Sequence, residues 1–380
     1  MNLIRQAYVH RLAASSPEDV SALTDAVNRG QIDAAAIVAI LGKTEGNGCV
    51  NDFTRGLATH MLKHAVASLS GRSLAEVTAN VAFVMSGGTE GGLSPHWLVF
   101  ESRLLDTAKT PVPVNSVAAK PSLAIGVAMT VGFLPEDIGR DKQIQATAMA
   151  VRQAMQHAGI ASFEDVHYVQ VKCPLLTRQR IEEAAGRGQG VVTEDTYLSM
   201  GYSRGASALG VALALGEIAP DAVSDASVCR DASLYSGRAS TSAGIELMQN
   251  QVMVLGNSLA WRSPFVIGHS VMRDALDVDA VEEALAAVQL QPGRALRSRG
   301  LGQIAAVLAK AESSRSGLIR ERRHIMLDDS DIHSSRHARA LVGGVLAGIF
   351  GDTQLFVSGG AEHQGPDGGG PVAVIAHLAG

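Results

Sequence analysis

Short apolar runs alternate with amphipathic stretches along the whole chain, and three of the runs end on a lysine. Ile37-Val38-Ala39-Ile40-Leu41-Gly42 leads to Lys43, Val166-His167-Tyr168-Val169-Gln170-Val171 to Lys172, and Ile304-Ala305-Ala306-Val307-Leu308-Ala309 to Lys310. Runs of this length between polar or glycine-rich segments predict strands. An opening strand and a helix precede each one. In the first case these are a strand at 8–12 and a helix opened by Ser16-Pro17-Glu18-Asp19, with Ser at the N-cap, Pro at N1 and acids in the first turn. Val20, Leu23 and Val27 give that helix its apolar stripe, and Gly30 ends it. The counterparts are a strand at 122–131 with a helix at 137–157, and a strand at 264–269 with a helix at 277–288.

Downstream of each lysine, an arginine sits near the start of a helix-like stretch of small residues. These arginines are Arg55, Arg204 and, less regularly, Arg336 or Arg339. Arg339 is preferred because a small residue follows it, as in Arg55-Gly56 and Arg204-Gly205. Leu57, Met61, Leu62 and Val66 are expected to form the buried face of the first such helix. A five-residue phrase comes next in every case: Ser86-Gly87-Gly88-Thr89-Glu90, Ser242-Ala243-Gly244-Ile245-Glu246 and Ser358-Gly359-Gly360-Ala361-Glu362. Strands at 97–100, 251–255 and 371–376 close the series.

The same order of lysine, arginine and serine three times over is an internal repeat. Three tandem β-α-β-α-β-β units are expected at 1–106, 114–256 and 262–380, with linkers at 106–113 and 256–263. Each unit buries one sheet face under helices and leaves the other bare, and three bare faces can hide only against one another. The predicted fold is α+β, a pseudo-three-fold β-barrel surrounded by helices. Lysines and serines at strand ends would then converge on its axis.

A serine delivered by a strand and followed by small residues is a candidate nucleophile, flanked by backbone N–H groups able to hold an oxyanion. No histidine recurs with the phrase, so the candidate base is lysine. It must be neutral to act, and burial together with neighbouring cations pushes it that way. The three glutamates have two readings, as partners that orient the lysines or arginines or as caps of the next element.

Composition narrows the choice of function. With 46% apolar and 18% charged residues the chain is globular, and with only 4% aromatics it must pack through Ala, Val and Leu and close backbone approach. A net charge of −5 gives no bulk attraction to nucleic acid or an anionic membrane, so any positive field is confined to a site. The longest apolar-rich stretch, at 122–134, is too short and glycine-broken to span a bilayer, and the first residues lack a signal-peptide core. Three cysteines without CxxC spacing point to a reducing cytoplasm. His333 with His337 and His60 with His64 repeat at helical spacing but lack the glutamate of HExxH, and are read as surface residues. Cys173 is read as a core thiol and the glycine-rich 365–371 segment as a turn.

In its three Lys, Arg and Ser-small-Gly-x-Glu sets, and in the run Ser358-Gly359-Gly360-Ala361-Glu362-His363-Gln364-Gly365-Pro366, the chain resembles the cyanuric acid hydrolase/barbiturase family of cyclic amide hydrolases. The resemblance implies a homotetramer that takes a small cyclic imide, with Ser242 as nucleophile and Lys172 as its base. It also implies that Ser86, Ser358, Gly87, Ala243 and Gly359 hold ring carbonyls, while Arg55, Arg204 and Arg339, backed by Lys43 and Lys310, bind the rest of the ring. No cofactor for catalysis is implied. A structural divalent cation, Mg or Ca, is placed on Glu312 and the backbone of Ala361, Gln364, Gly365, Pro366 and Gly369. Cyanuric acid, opened to carboxybiuret and thence biuret and CO2, is the expected substrate. The alternatives are barbituric acid, opened to ureidomalonate, and a protein that binds small anions without turning them over.

Overall fold

The three lysine-ended runs become strands of three separate sheets with one shared topology. The computed structural model describes residues 3–106, 120–293, 296 and 300–378. The first sheet holds β1 (Leu3–Ala13), β2 (Ile37–Thr44), β3 (Ala82–Gly87) and β4 (His96–Asp106) in the order β1-β4-β2-β3. The second orders β5 (Ser122–Met129), β6 (Val166–Pro174), β7 (Ala239–Gly244) and β8 (Gln251–Ser258) as β5-β8-β6-β7. In the third, β9 (Phe265–Met272) and β10 (Ile304–Ala311) are followed by a small hairpin of β11 (Leu318–Ile319) and β12 (Arg322–Arg323). With β13 (Phe356–Gly359) and β14 (Gly370–His377) its order is β9-β14-β10-β13. In every sheet the lysine strand runs parallel to the serine strand and antiparallel to the closing strand. A register shift falls at the same distance before each lysine, at Ile37/Ala39, Val166/Tyr168 and Ile304/Ala306.

Strand alternation decides what faces where. Ala39, Leu41, Ala82 and Val84 of the first sheet share one core with Ala306, Leu308 and Phe356 of the third and with most of the second. On the opposite face, Ile40 and Phe83 pack under α1 (Ser21–Asn28), α2 (Phe53–Ser70) and α3 (Leu74–Asn80) through Leu23, Leu62 and Val77. The second unit is covered by α4 (Asp141–Ala158), α5 (Arg178–Gly186) and α6 (Thr196–Ala214). The third is covered by α7 (Val278–Ala287) and α8 (Ser334–Phe350), which bury Val307 and Val357. Among the described residues no helix is long and apolar enough to cross a membrane.

Among the described residues no strand ladder joins one sheet to the next, so the expected closed barrel is not found. Side chains seal the edges instead. Phe83 N donates to Gln251 Oε1 (2.8 Å) and Thr241 N to Gln364 Oε1 (2.7 Å), so the edge donors of β3 and β7 are taken before a strand can pair with them.

Other expectations change in detail. The first helix starts at Ser21 and not at Ser16, since Asp19 accepts from both Ser15 N and Ser21 N and holds that segment in a turn. Leu57 is 44% exposed; the buried positions of α2 are Arg55, Ala58, Thr59, Leu62 and Val66. A short 3-10 turn, Pro135–Asp137, precedes α4, which begins only at Asp141. The stretch 256–263 is not all linker, because β8 runs to Ser258 and Trp261 is buried. Of the other linker, 107–113 lies outside the described residues.

Candidate active site

Register places each lysine directly across from a serine. Lys43 pairs with Ser86, Lys172 with Ser242 and Lys310 with Ser358, on parallel strands about 4.8 Å apart. All three lysines are fully buried. Lys43 Nζ lies 3.4 Å from Ser86 Oγ and Lys310 Nζ 3.2 Å from Ser358 Oγ. The middle pair differs: Lys172 Nζ forms an ion pair with Glu246 (2.8 Å), and no hydrogen bond joins it to Ser242 among the described residues. Each lysine also crosses to the next sheet and donates to the carbonyl just before that sheet's serine. Lys43 reaches Val357 O (2.7 Å), Lys172 reaches Met85 O (2.7 Å) and Lys310 reaches Thr241 O (3.0 Å).

The glutamates close the same circuit. Glu90 receives Arg339 through two bonds (2.8 and 2.6 Å), and Glu362 receives Arg204 likewise (2.8 and 2.6 Å). Arg336 touches Glu90 at 3.1 Å from a more exposed position, so it is Arg339 that is buried here. Glu246 turns to Lys172 instead of an arginine, and Arg55 donates to Ala243 O (2.5 Å) and lies 3.5 Å from Asp52. Of the two readings of the glutamates, two therefore orient arginines and one a lysine.

This explains the glycines of the phrase. Gly88 (φ 106) and Gly360 (φ 76) take left-handed backbone, and a Cβ there would meet Arg339 Nε at 2.5 Å or Arg204 Cζ at 2.6 Å. A Cβ on Gly244 would strike Glu246 at 2.0 Å.

Burial pushes all three lysines below their usual pKa: Lys43 far below, with Arg339 adding to the effect, and Lys310 to about 7, with Arg204 adding. Lys172 is also lowered, by burial first and by Arg55, while Glu246 pulls the other way. Glu246 itself sits below the carboxylate norm; burial raises it, but Lys172 and Arg55 together outweigh that.

Ser86, Ser242 and Ser358 line one small cavity with Arg55, Arg204 and Arg339. Gly87, Ala243 and Gly359 line it too, and the lysines lie behind the serines. Gly48 and Met200 are lining residues that the sequence reading missed. It also missed Asp52, the N-cap of α2, whose carboxylate accepts from Gly48 N (2.8 Å) and Thr54 N. The Asn51-Asp52-Phe53-Thr54 segment carried that capping signal.

A family model described as amidohydrolase ring-opening protein matches residues 8–377. The chain belongs to this family of ring-opening amidohydrolases. It is 58% identical over 97% of its length to a cyanuric acid amidohydrolase of Ectopseudomonas oleovorans, covering 98% of that protein. It is 57% identical to a second, from a Bradyrhizobium species, with 98% of each chain covered. The solved structure of cyanuric acid hydrolase from A. caulinodans superposes with a TM-score of 0.89 at 53% identity, covering 99% of this chain and 100% of that one. Another cyanuric acid hydrolase structure gives 0.92 at 49%, covering 98% and 100%.

In this ring-opening amidohydrolase a second cavity is lined by Glu312, Ala361, Gly365 and Pro366 together with Asp367 and His363. Glu312 accepts from Ala361 N, and burial with the nearby Glu362 raises its pKa to about 7. Gln364 turns its side chain away, to Thr241 N and Gly360 O, and Gly369 is not a lining residue. Among the described residues no cluster of three His, Cys, Asp or Glu side chains is placed to hold a metal. His333 caps α8 and His337 pairs with Asp329 (2.9 Å), while the rings of His60 and His64 meet at a tilt on the exposed face of α2. Cys173 is fully buried and its thiol pKa is raised by burial.

Proposed function

We propose that this chain hydrolyses cyanuric acid, opening the ring through an acyl-enzyme on Ser242. The observation that carries the reading is the single cavity in which three serines and three arginines meet, each serine beside a buried lysine. Cyanuric acid alternates three carbonyls with three N–H groups, so a site with three like edges offers each edge of the ring the same chemistry. The named relatives act on that compound and are similar over nearly the whole chain.

Ser242 Oγ attacks one ring carbonyl while Lys172, as the neutral amine, takes its proton. Backbone N–H groups of the phrase hold the oxyanion. The C–N bond then breaks, and the leaving nitrogen recovers the proton from Lys172. Because the ring nitrogen stays tethered, the acyl-enzyme retains every atom of the substrate. Water cleaves this carbamate ester, again with Lys172 as base, and the carboxybiuret released loses CO2 to give biuret. Ser86, Ser358, Gly87 and Gly359 face the other carbonyls, and Arg55, Arg204 and Arg339 surround the ring.

Three copies of one unit, 1–106, 114–256 and 262–380, arranged about a pseudo-three-fold axis, account for the shared strand order. We also propose a structural Mg or Ca ion at Glu312, a buried hard oxygen donor, with backbone carbonyls of the 361–369 loop completing the shell. That ion takes no part in the chemical steps.

The test is to follow loss of cyanuric acid by ring absorbance and formation of biuret. Binding without ring loss would favour a small-anion binder. A second test uses pH. Glu246 raises the pKa of Lys172, so Glu246→Gln lowers it further and enlarges the neutral fraction at a given pH. The acid limb of kcat/KM should therefore move to lower pH in Glu246→Gln. An unmoved limb would show that Glu246 does not set the charge of the base.

A further inference from the structure

Lys310 ties together two sheets at the point where Ser242 emerges. Its Nζ bonds Thr241 O (3.0 Å) on β7 and both Gly359 O (3.2 Å) and Ser358 Oγ (3.2 Å) on β13. The two carbonyls can only accept, so they fix two N–H groups of Lys310 in either charge state and hold the nitrogen against Ser358. Ser358 Oγ in turn lies 3.0 Å from Ser242 Oγ. The chain Lys310–Ser358–Ser242 is buried at every member.

The other two seams lack this chain among the described residues. Lys43 links Val357 O to Ser86 Oγ, but Ser86 bonds neither of the other serines. Lys172 links Met85 O to Glu246 and not to its own serine. Ser242 is thus held from the neighbouring sheet and not by the lysine of its own.

We propose that Lys310 and Ser358 are positioning residues for Ser242, and this rests on reading Ser242 as the nucleophile. Lys310 staples β7 to β13, and Ser358 fixes Ser242 Oγ in one of the three χ1 wells open to a serine. Lys172 is then left free to take the proton. Ser358 acts here on the nucleophile, a role separate from any contact with the ring.

The test compares Ser358→Ala, Lys310→Met and the double variant of the full chain with cyanuric acid as substrate. A misplaced nucleophile loses roughly 100-fold in rate, so kcat should fall by about that factor in each single variant; the lost ring contact of Ser358 raises KM in Ser358→Ala but does not account for the fall in kcat. The double variant should fall no further than the worse single one, because both act through one chain of contacts. A loss carried by KM alone, additive losses, or unchanged kcat in Ser358→Ala would each overturn the inference. Where Lys310→Met fails to fold, Ser358→Ala, which removes a single oxygen, carries the test through its kcat and KM. Ser242→Ala is run alongside. Turnover there defeats the nucleophile reading itself, whereas its loss there with full turnover in Ser358→Ala defeats only this inference.

Discussion

Replacing Ser242 with Ala lowers kcat for cyanuric acid by roughly 10⁴- to 10⁶-fold, the loss seen when a nucleophile is removed from a site that still binds and polarises its substrate. The fold survives, since the hydroxyl contributes one bond, to Ser358, at a site already packed. Ser86→Ala removes a contact with the ring and not the attacking atom. A lost hydrogen bond of about 2 kcal/mol corresponds to roughly 30-fold, mostly in kcat/KM. The two variants are distinguished by rate under saturating substrate and by an unchanged thermal transition. Turnover by Ser242→Ala with collapse in Ser86→Ala would move the chemistry to the first serine.

Lys172→Met is expected to cost about 10²- to 10⁴-fold in kcat, the usual contribution of a positioned base. Methionine approximates the length of the lysine stem without its amine. The change also strands Glu246, a buried carboxylate whose charge Lys172 balances, so the single variant should be less stable than Lys172→Met/Glu246→Gln. Activity should stay low in both, because neither has the amine. Combining Ser242→Ala with Lys172→Met should lose little beyond Ser242→Ala alone, since the two groups act in one step. Recovery of turnover in Lys172→Met/Glu246→Gln would show that charge balance, and not proton transfer, is what Lys172 supplies.

Much of this site was legible in the chain because its parts lie on strands of fixed spacing. A lysine that ends an apolar run and a serine that ends the next parallel strand must meet, and the register bears this out three times. What was not legible depends on partners brought together from distant parts of the chain. Nothing local in Glu246 separates it from Glu90 or Glu362, yet it alone turns to a lysine. The seams posed the same difficulty. Bare sheet faces predicted that three sheets meet, but Gln251 and Gln364 decide that they meet through side chains and not through a continuous ladder. Arg55 misled the reading of α2, where a charge occupies a buried position of the helix because the cavity lies there and an apolar Leu57 is left facing out. Arg204 was expected near a helix start, but Asp195 caps α6 well upstream, and the arginine projects from within the helix.

Three like edges of one cavity suit a ring with three like edges, which is what cyanuric acid offers. Barbituric acid replaces one ring N–H by CH2, and a site built to pair that N–H rejects the analogue by leaving a polar group unpaired. The direct measurement is competition: both rings in equal amount in one reaction, each followed to its own product, so that the ratio of initial rates is the ratio of kcat/KM. Cyanuric acid should be consumed first, by at least tenfold for each 1.4 kcal/mol of lost pairing. Faster consumption of barbituric acid would contradict the account.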